Sequence, residues 1–251
     1  MLAKSTAEKP AYLALWPVMN LHMNPFVAIL PVVVLMFCHD YALQRVILNR
    51  VGANFLAPML ATFGISIILR NGLQQIYHLD SRSFDIGALG TDSIHLGPRI
   101  VIGEFPLLVF VVSVILTLAT SLLFSRTRIG TALRATSDDA QTAGLMGIRA
   151  KCTYAIALGL SLALIAVGGV FAGIRTTFTP ESGPASLLYA FEAVVIGGMG
   201  SFWGTFAGAV ILGVARGAGA KIGAGFGILT GHLVFLAVLA LKPTGLFERS
   251  R

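Results

Sequence analysis

Glu192 is the only formal charge between Glu181 and Arg216. A carboxylate inside an apolar stretch is costly to desolvate, so it is a functional candidate by default. The competing reading places it near a membrane interface, or pairs it with Arg175 or Arg216. Beside it runs a glycine-rich segment, Gly197-Gly198-Met199-Gly200, and Gly200, Gly204 and Gly208 then recur every four residues. A second series follows at Gly219, Gly223, Gly227 and Gly231. On a helix such a series makes a smooth ridge that admits a neighbouring backbone. Ordinary helix packing explains the ridges, and so does the lining of a conduit; both readings stay open. The histidines, His22, His39, His78, His95 and His232, share no metal-ligand spacing. His232 lies in an apolar block, where packing or an interhelical hydrogen bond fits better than metal ligation. No nucleophile elbow, phosphate loop or paired-carboxylate pattern is present, which points away from an enzyme with its own catalytic residues or cofactor. Any ATP-driven work would fall to another chain.

A different kind of chemistry is written between Ser125 and Lys151. Ser137 can cap a helix start, and Asp138 and Asp139 suit the positive end of its dipole. Ala140, Ala143, Gly144 and Gly147 then fall at helical spacing, giving a face of alanine and glycine alone. Such a face buries little area by itself but can dock closely into a groove on a partner. The plainer alternative is a short linker helix on the membrane surface.

The elements that must position these residues are membrane helices. Hydrophobic residues make up 56% of the chain and charged residues 12%, against about 25% charged in soluble domains. Phe105–Phe124 and Thr153–Ile174 carry no charge at all, and each meets the roughly 20 residues a helix needs to cross the hydrocarbon. Phe26–Cys38, broken by Pro31, and Ala53–Leu69, with Pro58 and Gly64 as expected irregularities, are further spans, and Phe226–Leu241 is the last. The expected fold is all-α: a polytopic transmembrane helical bundle with broken or re-entrant helices. Residues 1–24 form an ambiguous amino-terminal segment, 25–245 a single transmembrane domain and 246–251 a tail.

The net charge of +7 resides in short loops between apolar blocks. That is the pattern of cytoplasmic loops and not of a nucleic-acid surface. It places loops 39–52 and 125–151 and the tail in the cytoplasm, and 71–103 outside. Cys38 and Cys152 then face the reducing side, with no disulfide implied. Orientation imposes parity: Leu187–Arg216 must cross twice or not at all. Its halves, of about 12 to 15 residues on either side of the glycines, are each too short to span alone. A re-entrant pair or two short buried helices is expected, a feature that often marks a solute route.

Two segments carry a resemblance. Residues Arg134-Ala-Thr-Ser-Asp-Asp-Ala-Gln-Thr-Ala-Gly-Leu-Met-Gly147-Ile resemble the coupling-loop motif of the branched-chain amino-acid ABC permease family, Glu-Ala-Ala, three residues, Gly. Gln141 and Thr142 replace the first two residues, while Ala143 and Gly147 match. The segment Ala193–Gly213 resembles the family's Gly-Gly-x-Gly-Ser…Gly-x-x-x-Gly signature, in the expected order. The similarity spans roughly residues 25–245. It implies a permease in the bacterial cytoplasmic (inner) membrane, paired with a second permease, two ATP-binding subunits and a periplasmic solute-binding protein. The implied solutes are branched-chain or other small amino acids, with urea or short amides as alternatives. Asp139, Ala140, Ala143, Gly144 and Gly147 are the expected coupling residues. Glu192, Gly197, Gly198, Gly200, Gly204 and Gly208 are expected in the translocation path or its packing. The family's early helices are not recognisable in residues 1–24, so an amino-terminally shortened member is expected. A secondary transporter or channel and an inactive fragment remain alternatives.

Overall fold

The computed structural model describes residues 25–50, 56–77, 93–95, 101–177, 182–223 and 225–247. Helix α1 spans Pro25–Leu43 and runs into a π-helical turn, Gln44–Leu48. Helix α2 is Leu56–Tyr77. Strands β1 (Ser93–His95) and β2 (Val101–Gly103) pair antiparallel, Ile94 opposite Ile102. There follow α3 (Glu104–Arg126), α4 (Arg128–Asp138), α5 (Ala140–Leu145) and α6 (Ala150–Arg175). The last three are α7 (Ser182–Gly197), α8 (Phe202–Ile222) and α9 (Phe226–Leu241). Apart from the small β-ladder, the regular structure among the described residues is helical, as the apolar blocks predict.

Among the described residues, five helices are long and apolar enough to cross a membrane. They cannot satisfy their apolar surface within this chain: in the Glu104–Arg126 window only 6% of residues are buried. Lipid or partner helices must cover the rest. The chain is a multi-pass membrane protein.

Two compact units are present, residues 1–112 with 123–184, and residues 113–122 with 185–251. The core of the first is the α1–α6 pair. Ala28, Val32 and Met36, on one stripe of α1, pack with Ala166 and Val170 of α6; Leu73 of α2 and Ile174 lie against them. Phe171 is flanked by Phe26 and Phe105, with ring centroids 6.4 and 6.1 Å away. Gly159 lets α1 come close, since a Cβ there would stand 3.0 Å from the Phe37 ring and 3.2 Å from its carbonyl oxygen. Without a hydrophobic drive between helices in lipid, small residues of this kind set the approach distance.

Several boundaries differ from expectation. The polar stretch after Cys38 does not end α1; helical backbone continues to Leu48. Ala53–Leu69 likewise underestimates α2, which runs on to Tyr77. Pro58 causes no break there, because it sits in the first turn, where its missing N–H is not needed. The segment 125–151 is largely helical and holds α4 and α5. The break at the glycines is where it was expected, but the two halves are unequal. Helix α8 has 21 residues, about 30 Å at 1.5 Å per residue, and is long enough to span. The expectation that neither half spans alone therefore fails for α8. Its glycines and arginine mask an otherwise continuous apolar helix.

Candidate functional site

Two places gather the expected site residues, one in each unit. In the second unit, α7 ends at a sharp break where Gly198 (φ +95°) and Gly200 (φ +97°) take left-handed conformations. Ser201 then caps α8, its hydroxyl accepting from the Gly204 N–H at 3.0 Å. Beyond the break the two helices cross backbone to backbone. A Cβ on Gly197 would strike the Gly204 carbonyl, one on Gly204 would strike that of Gly197, and one on Gly208 would strike the Ala193 carbonyl. So Gly197, Gly204 and Gly208 form the contact, while Gly200 belongs to the turn. The second glycine series is not one ridge. Gly219 faces Thr230 across the α8–α9 turn, and Gly227 and Gly231 face Arg216 from α9.

Where α7, α8 and α9 meet lies a layer of polar side chains. Glu192 is 2% exposed. Its Oε1 meets Nδ1 of His232 on α9; with the proton on Nδ1, the imidazole donates and the carboxylate accepts. Its Oε2 is buried without a hydrogen-bond partner among the described residues. Tyr189, one turn before Glu192, stacks on the His232 ring at 6.1 Å and 21°. The Arg216 guanidinium lies over the Tyr189 ring, 3.7 Å from its centroid. Stacking of this kind suits the planar, weakly hydrated guanidinium. The competing reading that paired Glu192 with Arg216 is not met among the described residues; His232 takes that place, as an interhelical hydrogen-bond residue. Sequence reading offers Arg216 only as an ion-pair partner and does not single out Tyr189. Nothing in sequence separation indicates that α8 would return Arg216 to the level of Tyr189.

In the first unit, α4 starts at a Thr127 cap whose hydroxyl accepts from Gly130 N–H at 3.2 Å. It buries Gly130, Leu133 and Thr136. The Tyr154 hydroxyl of α6 donates to the Thr136 carbonyl at 3.4 Å. The chain then breaks at Asp139. Ser137 lies within α4, and the cap of the next helix is Asp139, not Ser137. One Asp139 oxygen accepts from the Gln141 and Thr142 N–H groups at 2.8 and 3.2 Å, and the other from the Thr142 hydroxyl. Ser137 lacks the cap position because α4 runs on through Asp138. Helix α5 is only six residues long. The Ile148 N–H closes it by donating to the Ala143 carbonyl at 3.1 Å, with Gly147 at φ +83°. This is a left-handed helix end that glycine favours.

The expected alanine-glycine face is therefore divided. Ala143 is turned inward at 5% exposure, Ala140 is half-buried and Gly144 is exposed. Gly147 stands past the helix end. What protrudes is Leu145 and Met146, at 88% and 81% exposure.

The sequence profile of the family described as branched-chain amino acid transport system / permease component matches residues 11–241. The chain belongs to that family. This permease is 31% identical over 216 residues to the high-affinity branched-chain amino acid transport system permease protein BraD of Pseudomonas aeruginosa, covering 83% of this chain and 70% of the relative. It is 27% identical over 229 residues to the permease protein LivH of Salmonella typhimurium, covering 86% and 72%. To LivH of Escherichia coli it is 26% identical over the same length. No solved structure gives a significant match.

Within the permease, the Asp139 cap is the polar anchor of α5. The Asp139 carboxyl is held below its ordinary value of 3.8, first by the Thr142 hydroxyl and then by the Thr142 and Gln141 N–H groups. Because the folded value is depressed, the cap's contribution is complete above the ordinary value and is lost as pH falls through the folded one. Asp139→Ala is expected to speed amide exchange at Gln141 and Thr142 several-fold at neutral pH. Thr142→Ala should do less, since both backbone bonds remain. Hydrogen exchange read by mass spectrometry tests this; equal exchange in all three proteins would mean that Asp139 does not hold α5.

Proposed function

We propose that this permease is the membrane-spanning subunit of an ABC importer for branched-chain or other small amino acids. Separate ATPase subunits drive it, and it has no catalytic residues of its own. The observation that carries the reading is the α4–α5 segment. The residues that resemble the family's coupling-loop motif form a short capped helix with a left-handed glycine end, which presents Leu145 and Met146 outward. Two large exposed apolar side chains beside a turn are unfavourable in water and well suited to a partner's groove.

The expected assembly contains a second, homologous or identical permease, two ATP-binding subunits and a periplasmic solute-binding protein, in the bacterial cytoplasmic membrane. Movement of α5 with its ATPase would open or close a path between the two permeases. Orientation follows from the basic residues in and around this segment, Arg126, Arg128, Arg134, Arg149 and Lys151, which favour the cytoplasmic side. In a Cys-free background, a single cysteine at Ser137, which is exposed, is expected to resist an impermeant thiol reagent in intact cells. It should react fully in inverted vesicles. Labelling from outside would reverse the orientation and remove α5 from reach of any ATPase. Uptake of labelled leucine, dependent on co-expressed ATPase and binding protein, tests the transport reading itself.

A further inference from the structure

We propose that the Glu192–His232–Tyr189–Arg216 layer is a recognition site for a zwitterion. Glu192 Oε2 accepts from the solute's α-ammonium, and the Arg216 guanidinium donates to its α-carboxylate. This site rests on the amino-acid reading above and names the residues that would carry it.

A carboxylate oxygen with no hydrogen-bond partner is costly at this burial, and Glu192 is 2% exposed with Oε2 in that condition. His232 engages only the other oxygen. Such a group is a vacant acceptor, and an ammonium is its best donor. Arg216 presents the complementary vacancy. Its guanidinium lies over the Tyr189 ring, and among the described residues it forms no ion pair. A guanidinium edge binds a carboxylate through two parallel hydrogen bonds. The stem of Arg216 is fixed by the close approach of α9, since a Cβ on Gly231 would stand 2.9 Å from Arg216 Cγ.

Glu192 and Arg216 do not pair with each other although they share the layer. One chain of contacts links them: Arg216 lies over Tyr189, Tyr189 stacks on His232, and His232 meets Glu192. A molecule that itself carries both charges matches the two vacancies. His232 and Tyr189 are half-buried. Urea and simple amides have neither charge and would leave both vacancies unfilled.

The test uses the permease with its ATPases in nanodiscs, without binding protein. Labelled leucine is competed with leucinamide, which lacks the carboxylate, and with 4-methylpentanoate, which lacks the ammonium. Wild type is expected to prefer leucine over both. Arg216→Gln should weaken leucine by about tenfold or more, the loss of a charge-assisted pair, and leave leucinamide unchanged. Glu192→Gln should weaken leucine similarly and leave 4-methylpentanoate unchanged. Equal loss for all three ligands would assign the layer a purely structural role and overturn the site. Unaltered leucine binding in both variants would do the same. So would a wild type that imports leucine yet shows no preference for it here. A wild type that imports urea but not leucine would instead remove the amino-acid reading, and this site with it.

Discussion

Gly204→Leu is expected to eliminate most of the folded permease. At the α7–α8 crossing, backbone meets backbone: the Cβ of any residue at 204 would strike the Gly197 carbonyl oxygen, and further atoms would meet the Phe247 side chain, 3.1 Å from that Cβ. Neither neighbour is the free end of a flexible side chain, so relief requires moving a helix. Overpacking typically costs about 1–3 kcal/mol, and occasionally more where backbone must shift. At about 1.4 kcal/mol per factor of ten, the upper end of that range is more than a hundredfold in the folding equilibrium. Gly213 on the same helix is the control, because a Cβ there has nothing within 4 Å. Fluorescence-detected size-exclusion of the detergent-extracted proteins should show a monodisperse peak for Gly213→Leu and none for Gly204→Leu. If the two variants behave alike, the close crossing is not what holds α7 against α8.

Gly147→Arg should have the opposite profile, with folding preserved and transport abolished. Gly147 is exposed and a Cβ on it would touch nothing in the chain. Its left-handed backbone makes any side chain there cost roughly 1–2 kcal/mol locally. That is enough to loosen the end of α5 but not to unfold the spans. The larger effect comes from placing a long cation beside Leu145 and Met146, the surface proposed to seat in the ATPase. Gly147→Ala separates the two contributions, because it brings the strain without the bulk. Co-purification of the ATPase should be reduced with Gly147→Ala and lost with Gly147→Arg, and leucine uptake should fall in the same order. Full ATPase recovery and normal uptake with Gly147→Arg would take the coupling role away from α5.

How far these sites can be read from sequence depends on the range of the interaction. The spans are legible because twenty uncharged residues have few other solutions, and the break at Gly197-Gly198-Met199-Gly200 because left-handed positions select glycine. The cap of α5 was legible only approximately. Ser137 and Asp139 are both good capping residues, and the choice between them depends on how far α4 extends, which its contacts with α6 help decide. Gly147 satisfies a helical spacing rule while standing outside the helix, since counting residues does not reveal where a helix stops. The polar layer was least legible. Glu192 announces itself by desolvation, but its partner comes from forty residues downstream, and Arg216 and Tyr189 join through a stacking contact that has no sequence period.

The segment after α9 turns back beneath the end of α7. There the Leu246 and Phe247 N–H groups donate to the Ile196 and Gly197 carbonyls at 2.9 and 3.2 Å, and Gly245, at φ +89°, lies against Gly198. Four helix-end carbonyls are ordinarily left open at such a place; here two of them are closed by chain that follows a different helix. Together with the Glu192–His232 pair one turn higher, this clasps α7 to α9 at two levels. In mechanical terms the two helices are tied at two points. A force delivered to α9 would be passed on to α7 and its glycine break. Cutting the chain after Lys242 would release the lower tie and leave the Glu192–His232 pair as the upper one.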